Sequence, residues 1–184
     1  MNLNLKRAAA ALTLLIGLSA CSMFVPPDAN RLLFGLEPVN ELGYEVTPQG
    51  ITVETRTLKL STRAGMPATN VTGYRVEYRD NSGVLRGQTS TVPQSLNITV
   101  PAGWQCTTPD PFLGCNALSE GARPAPGVAA TVAAIQNQFL NADIIEAHMA
   151  EDQASGWFAD ITLYYNNVNG EFEETYRVNI VVPN

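Results

Sequence analysis

The chain has 184 residues, with 17 acidic against 11 basic side chains, a formal net charge of −6 and 45% hydrophobic residues. That is enough apolar chain for one buried core. The acidic balance, with arginines and lysines scattered singly, excludes a phosphate-backbone partner such as nucleic acid.

At the start of the chain, Lys6 and Arg7 precede an uncharged run from Ala8 to Leu18. This is the order of a secretory signal, a positive region before an apolar one. The run is too short to span a bilayer, whose hydrocarbon core of roughly 30 Å takes about 20 apolar residues. Pro26 and Pro27 stop any continuation. The run ends in Leu18-Ser19-Ala20-Cys21, which resembles the lipobox of bacterial lipoproteins. The resemblance implies that residues 1–20 are a cleaved signal peptide and that Cys21 becomes a lipidated N-terminus. Residues 21–33 would then tether that lipid to a folded domain over residues 34–184. It also implies a lipid-anchored protein of the bacterial cell envelope, with the membrane as a partner. Ser22 and Met23 are not acidic, which in such proteins points to the outer membrane.

Beyond the tether, strand signals dominate. In "ITVETRTLKLS", Ile51, Val53, Thr55 and Thr57 alternate with polar neighbours before Leu58 and Leu60 shift the parity, which predicts a bulge or a strand buried on both faces. "GYRVEYRDNSG" puts Tyr74, Val76 and Tyr78 on one face and Arg75, Glu77 and Arg79 on the other, with a turn at Asp80–Gly83. "SLNITVPAGW" turns Leu96, Ile98 and Val100 inward until Pro101 stops it. "WFADITLYYNNVNGEFEETYRVNIVVP" is two alternating runs around Asn169-Gly170, a hairpin signal, with Phe172, Tyr176, Val178, Ile180 and Val182 sharing a face.

An insert at 104–155 interrupts this pattern. With Cys21 assigned to lipid, Cys106 and Cys115 remain, and an even remainder in an exported chain predicts one disulfide around "TTPDPFLG". Further on, Val128, Val132, Ile135 and Phe139, continued by Ile145 and Met149, recur at three- and four-residue spacings, which predicts an amphipathic helix. The same residues leave a strand over "TVAAIQNQF" open. His148 is the only histidine and is expected on the helix surface. No nucleophile motif accompanies it, so an enzyme is not expected. Asp143, Glu146, Glu151 and Asp152 gather acid, as do Glu171, Glu173 and Glu174. Calcium is the ion such oxygens would take, but neither cluster has the alternating spacing of a dedicated loop. No cofactor is therefore expected beyond the covalent lipid on Cys21.

Short strands separated by regular turns predict a mainly β fold, an antiparallel β-sandwich bearing the disulfide loop and one helix. "VTGYRVEYRDNSG", "SLNITVPAG" and "GWFADITLYYNNVNG" resemble the third, fifth and sixth strands of a fibronectin type III or related immunoglobulin-like domain. The resemblance implies an adhesive or scaffolding module, with another envelope component, such as a surface-layer or outer-membrane protein, as partner. Trp104, Phe112, Leu113 and Trp157 are the candidate partner contacts, because large apolar groups on a stapled loop lose little freedom on binding. Both tryptophans also fit the core where the insert joins the sheet. The alternative function is a small-ligand or carbohydrate-binding lipoprotein, which requires a concave pocket lined by Trp104 and Trp157.

Overall fold

The computed structural model describes residues 30–88, 90–111, 114–132, 139–151 and 156–181. The expected signal, Cys21, most of the tether, Phe112, Leu113, Asp152 and Val182 lie outside the described residues.

Three long strands form the centre: β5 (Thr69–Arg79), β11 (Phe158–Asn167) and β12 (Gly170–Val181). Strand β11 pairs antiparallel with both of the others along its length. Their alternation works as expected. Tyr74, Val76 and Tyr78 of β5, Ile161 and Leu163 of β11, and Val178 and Ile180 of β12 are buried on the inner face. On the outer face Asp160 lies between two guanidinium groups, 3.3 Å from Arg79 and 2.9 Å from Arg177. The Asn169-Gly170 hairpin forms, with Gly170 at φ +133°, where a side chain would be strained. The amide of Asn169 donates to Asn167 Oδ1 at 2.8 Å.

Strands β2 (Glu41–Thr47) and β3 (Gly50–Val53) extend this sheet beyond β12, while β6 (Leu85–Gln88) and β7 (Gln94–Val100) share the far edge of β5. The second sheet is β1 (Leu33–Glu37), β4 (Thr57–Ser61) and β10 (Ala130–Val132), in the order β1-β4-β10. Leu36, Leu58 and Leu60 from it close the core. With β1-β4-β10 on one side and β5-β11-β12 on the other, the chain is mainly β and sandwich-like. The sheet is mixed rather than wholly antiparallel, because β2 runs parallel to β12.

Three expectations need correction. The parity shift before Leu58 is not a bulge: residues 54–56 carry the chain from β3 in one sheet to β4 in the other. Arg56 is buried at the crossing, donating Nε to the Glu41 carbonyl at 2.8 Å and pairing with Glu54. The run Leu96–Val100 does not join the sheet of β4 as a fifth strand would. It pairs with the first half of β5, which the four-residue β6 leaves uncovered, and β10 from the insert takes the place beside β4. The expected helix is shorter. Ala130–Val132 is strand, and the helix α1 runs Ala142–Ala150, where the Asn141 side chain accepts from Ile144 N.

The insert thus completes the core instead of decorating it. Phe139, Leu140 and Ile145 are fully buried, and the Tyr78 hydroxyl donates to the Phe139 carbonyl at 3.1 Å. His148 is also fully buried, not on the surface. Its Nδ1 shares a 2.8 Å hydrogen bond with the Tyr44 hydroxyl, and its ring centre lies 5.0 Å from that of Trp157. A short helix laid against a sheet turns one face entirely inward, and His148 falls on that face with Ile144 and Ile145. Because Trp157 fills the space between helix and sheet, Trp157→Ala is expected to cost about 3–5 kcal/mol. That would lower the melting temperature by roughly 10 °C in a domain of this size, as read by thermal unfolding.

Candidate functional site

The described chain starts at one end of the sandwich, and four side chains hold it there. Asn169, at the tip of the β11–β12 hairpin, donates Nδ2 to Asn30 Oδ1 at 2.9 Å. The Tyr165 hydroxyl donates to the Asn30 carbonyl at 3.1 Å, and the Tyr176 hydroxyl lies 2.8 Å from the Leu32 carbonyl and 2.7 Å from Glu174 Oε2. Glu174 in turn pairs with Arg31. Phe34 stacks on Tyr176, ring centres 4.8 Å apart. Burial, reinforced by the Glu174 carboxylate, pushes the Tyr165 hydroxyl up to about 12 and raises Tyr176 from its ordinary value by the same causes. The three residues before β1 are therefore fastened to the β11–β12 hairpin at the centre of the fold.

The same end carries the disulfide hairpin. Strand β7 reaches it where Val100 pairs with Thr69, and Thr69 accepts from Asn167 Nδ2 at 3.4 Å. The chain then passes through Gly103, where a side chain would meet the Arg63 carbonyl at 1.8 Å. This close approach admits only glycine, and it lets Gly103 N donate to the Met66 carbonyl at 2.8 Å and Gly65 N to the Gly103 carbonyl at 2.6 Å. From that base rise β8 (Trp104–Gln105) and β9 (Arg123–Pro124), with the Cys106–Cys115 disulfide between them, Cα atoms 5.6 Å apart. Trp104 is half-buried and lines a cavity of about 280 Å³ with Pro101, Gly114, Cys115, Pro126 and Val128.

At the opposite end, Trp157 is fully buried, so it is no partner contact, which corrects the sequence reading. The Arg86 guanidinium lies 5.7 Å from its ring centre and bonds Asp80 Oδ2 at 2.8 Å and Glu151 Oε1 at 2.5 Å. The Ser82 hydroxyl, the Val84 and Ser82 amides and Arg86 hold the Asp80 carboxyl below the usual carboxylate range. A cavity of about 550 Å³ opens nearby between Ile51–Val53 and Leu140–Ala142 with Ile145. The ten residues of β11 separate the two ends by about 30 Å at 3.3 Å per residue. Trp104 and Trp157 flank the insert in sequence but stand at opposite ends, and no single aromatic pocket contains both.

The acid clusters separate as well. Strand alternation sends Glu174 inward while Glu171 and Glu173 stay exposed, and Glu151 is occupied by Arg86. No three metal-ligating side chains converge among the described residues. Sequence reading missed the chain-start cluster. The signal available was Tyr165, Glu174 and Tyr176 at inward positions of the hairpin, but nothing local names their target. Compared with known proteins, the chain matches no protein-family model and no curated protein.

Two measurements follow from this end. Tyr165 and Tyr176 ionise less readily in the fold than in the unfolded chain, whose tyrosines titrate near 10. Their contribution is therefore fully present below pH 10 and is lost as pH rises through about 12. Denaturant unfolding from pH 8 to 12 is expected to show stability falling above pH 10, with a shallower fall in Tyr165→Phe/Tyr176→Phe; an unchanged slope would contradict the assignment. Replacing Cys106 and Cys115 by serine opens a loop of sequence separation 9. It is expected to cost about 2–3 kcal/mol by the loop-entropy relation, while the near-ultraviolet signal of Trp157 is retained in the folded variant.

Proposed function

We infer that this protein is a lipid-anchored, non-catalytic module of the bacterial envelope, exported by its signal sequence, held on the outer membrane through Cys21 and serving as an interaction partner for another envelope protein. The observation that carries the reading is the chain-start cluster. Asn30 to Leu32 are tied by Asn169, Tyr165, Tyr176 and Glu174 to the central hairpin. Load arriving along a tether would pass directly into β11 and β12, which pair with each other from Phe158–Asn179 to Asn167–Gly170. The disulfide supports an oxidising compartment outside the cytoplasm. The buried His148–Tyr44 pair supports a structural role for the only histidine, not an acid–base role. The acidic balance supports the absence of nucleic acid among the partners. The carbohydrate-binding alternative loses its support because Trp157 is inside the core.

Expression in a Gram-negative host tests the reading. The wild-type protein is expected in the outer-membrane fraction with the mass of a lipidated Cys21 N-terminus, and to bring down one partner stoichiometrically after detergent extraction. Cys21→Ser is expected to lose the acyl mass and move to the soluble fraction. Membrane retention of that variant, or a wild-type mass without lipid, refutes the anchor.

A further inference from the structure

We propose that the end of the sandwich bearing Asn30, the β11–β12 hairpin tip and the disulfide hairpin lies against the bilayer that holds the lipid, and that Leu118, Val128 and Val168 place their side chains in its surface. This rests on the lipid-anchor reading and adds to it an orientation and a second membrane contact.

The first argument is the reach of the chain. Residues 22–29 alone separate Cys21 from Asn30, and at 3.3–3.6 Å per residue they span at most about 30 Å. Asn30 is pinned to Asn169, so the hairpin tip is the part of the fold nearest the lipid. The end with Trp157 and α1 is farther by the length of β11. Bringing that end to the membrane would need the tether to run back along the domain at nearly full extension.

The second argument is where the apolar side chains are left in water. Among the described residues the three most exposed large aliphatic side chains are Leu118 at 96%, Val168 at 87% and Val128 at 77%. All three belong to this end. Val168 is in the hairpin tip beside Asn169. Val128 follows Gly127, whose amide donates to the Thr62 carbonyl at 3.0 Å, and Thr62 bonds the Pro101 carbonyl at 2.6 Å. Leu118 is on the loop that joins β8 to β9. The exposed aliphatic side chains of the turn at the opposite end, Val84 at 54% and Leu85 at 43%, are less exposed.

The third argument is rigidity. Leu118 sits in a turn closed by Asn116 and Ser119: its own amide donates to Asn116 Oδ1 at 2.9 Å, Asn116 N donates to Ser119 Oγ at 3.0 Å, and Ser119 N donates to the Asn116 carbonyl at 3.1 Å. Thr107 N donates to the Glu120 carbonyl at 3.0 Å across the loop, next to the disulfide. These turns hold the side chains outward and lose little freedom on docking. The exposed charges at this end, Asp110, Glu120, Glu171, Arg31 and Arg123, carry no positive excess. The contact is therefore apolar and does not depend on anionic lipid.

The test uses the full lipidated protein in phosphatidylcholine vesicles, with a polarity-sensitive fluorophore on a single added cysteine in place of Leu118, Val128 or Val168, and in place of Val84 in the turn at the opposite end. These positions are exposed, so labelling leaves the fold intact, which circular dichroism verifies. Acyl-brominated lipid is expected to quench the labels at 118, 128 and 168 at least twofold and to leave the label at 84 unchanged, equally with or without phosphatidylglycerol. Quenching at 84 equal to that at 168, or none at any position while the protein floats with the vesicles, overturns the orientation but not the anchor. Failure to float, with no acyl mass, overturns the anchor itself. Burial of the three labels in native envelopes but not in pure lipid vesicles assigns this end to a protein partner and also overturns the proposal.

Discussion

Strand β11 is the constraint on which the rest depends, because it is paired on both edges over nearly its whole length, to β5 on one side and β12 on the other. Its inward side chains, Ala159, Ile161, Leu163 and Tyr165, are all buried, so its register decides the faces of both neighbours. A shift by one residue would turn that whole set outward. The two-residue turn Val168–Asn169, closed by the Asn167–Gly170 pair, sets the register against β12. Against β5, a shift at Tyr164/Tyr165 lets Val71 and Tyr74 both face inward despite their odd spacing.

From that ladder the two ends of the sandwich diverge in chemistry. Next to β1, tyrosine hydroxyls and a glutamate bond backbone carbonyls and Arg31, so Asn30 to Leu32 are held by directional bonds, those of Tyr165 and Tyr176 partly sheltered from water, where such bonds are stronger. At the opposite end, aromatic packing of Trp157, His148 and Tyr44 lies under the Arg86 bridge from Asp80 to Glu151. The first arrangement fixes Asn30 to Leu32 to the β11–β12 hairpin. The second fixes α1 to the sheet over β6, where Gly87 has no side chain to exclude Ile144.

Much of the sandwich was legible in the residues. Tyr74, Val76 and Tyr78 against Arg75, Glu77 and Arg79, the Asn169-Gly170 turn, and the Cys106–Cys115 pair each came from a local rule: pleat alternation, turn chemistry, and an even cysteine count. The errors share a cause. The parity change at Leu58 registered locally as an irregularity, but it was a crossing between sheets. The stretch Ala130–Val132 carried a helical spacing, but β4 had an open edge that took it as a strand. His148 read as solvent-facing because a polar side chain near a helix end is commonly exposed, and its partner Tyr44 lies 104 residues away.

The sequence by itself determined which side chains face inward along β5, β7 and the β11–β12 hairpin, where that hairpin turns and which cysteines are available to pair, since these follow from backbone geometry within a few residues. Only the tertiary structure decided which strands are neighbours, that the insert supplies β10 and the core-filling helix, that Trp104 and Trp157 stand at opposite ends, and that Asn30 to Leu32 are clamped by Tyr165, Tyr176 and Glu174. Those outcomes depend on hydrogen bonds and packing between segments far apart in the chain, Ala130 with Leu60 and Asn30 with Tyr165 among them, and no local pattern encodes the partner of an open strand edge or of a buried hydroxyl.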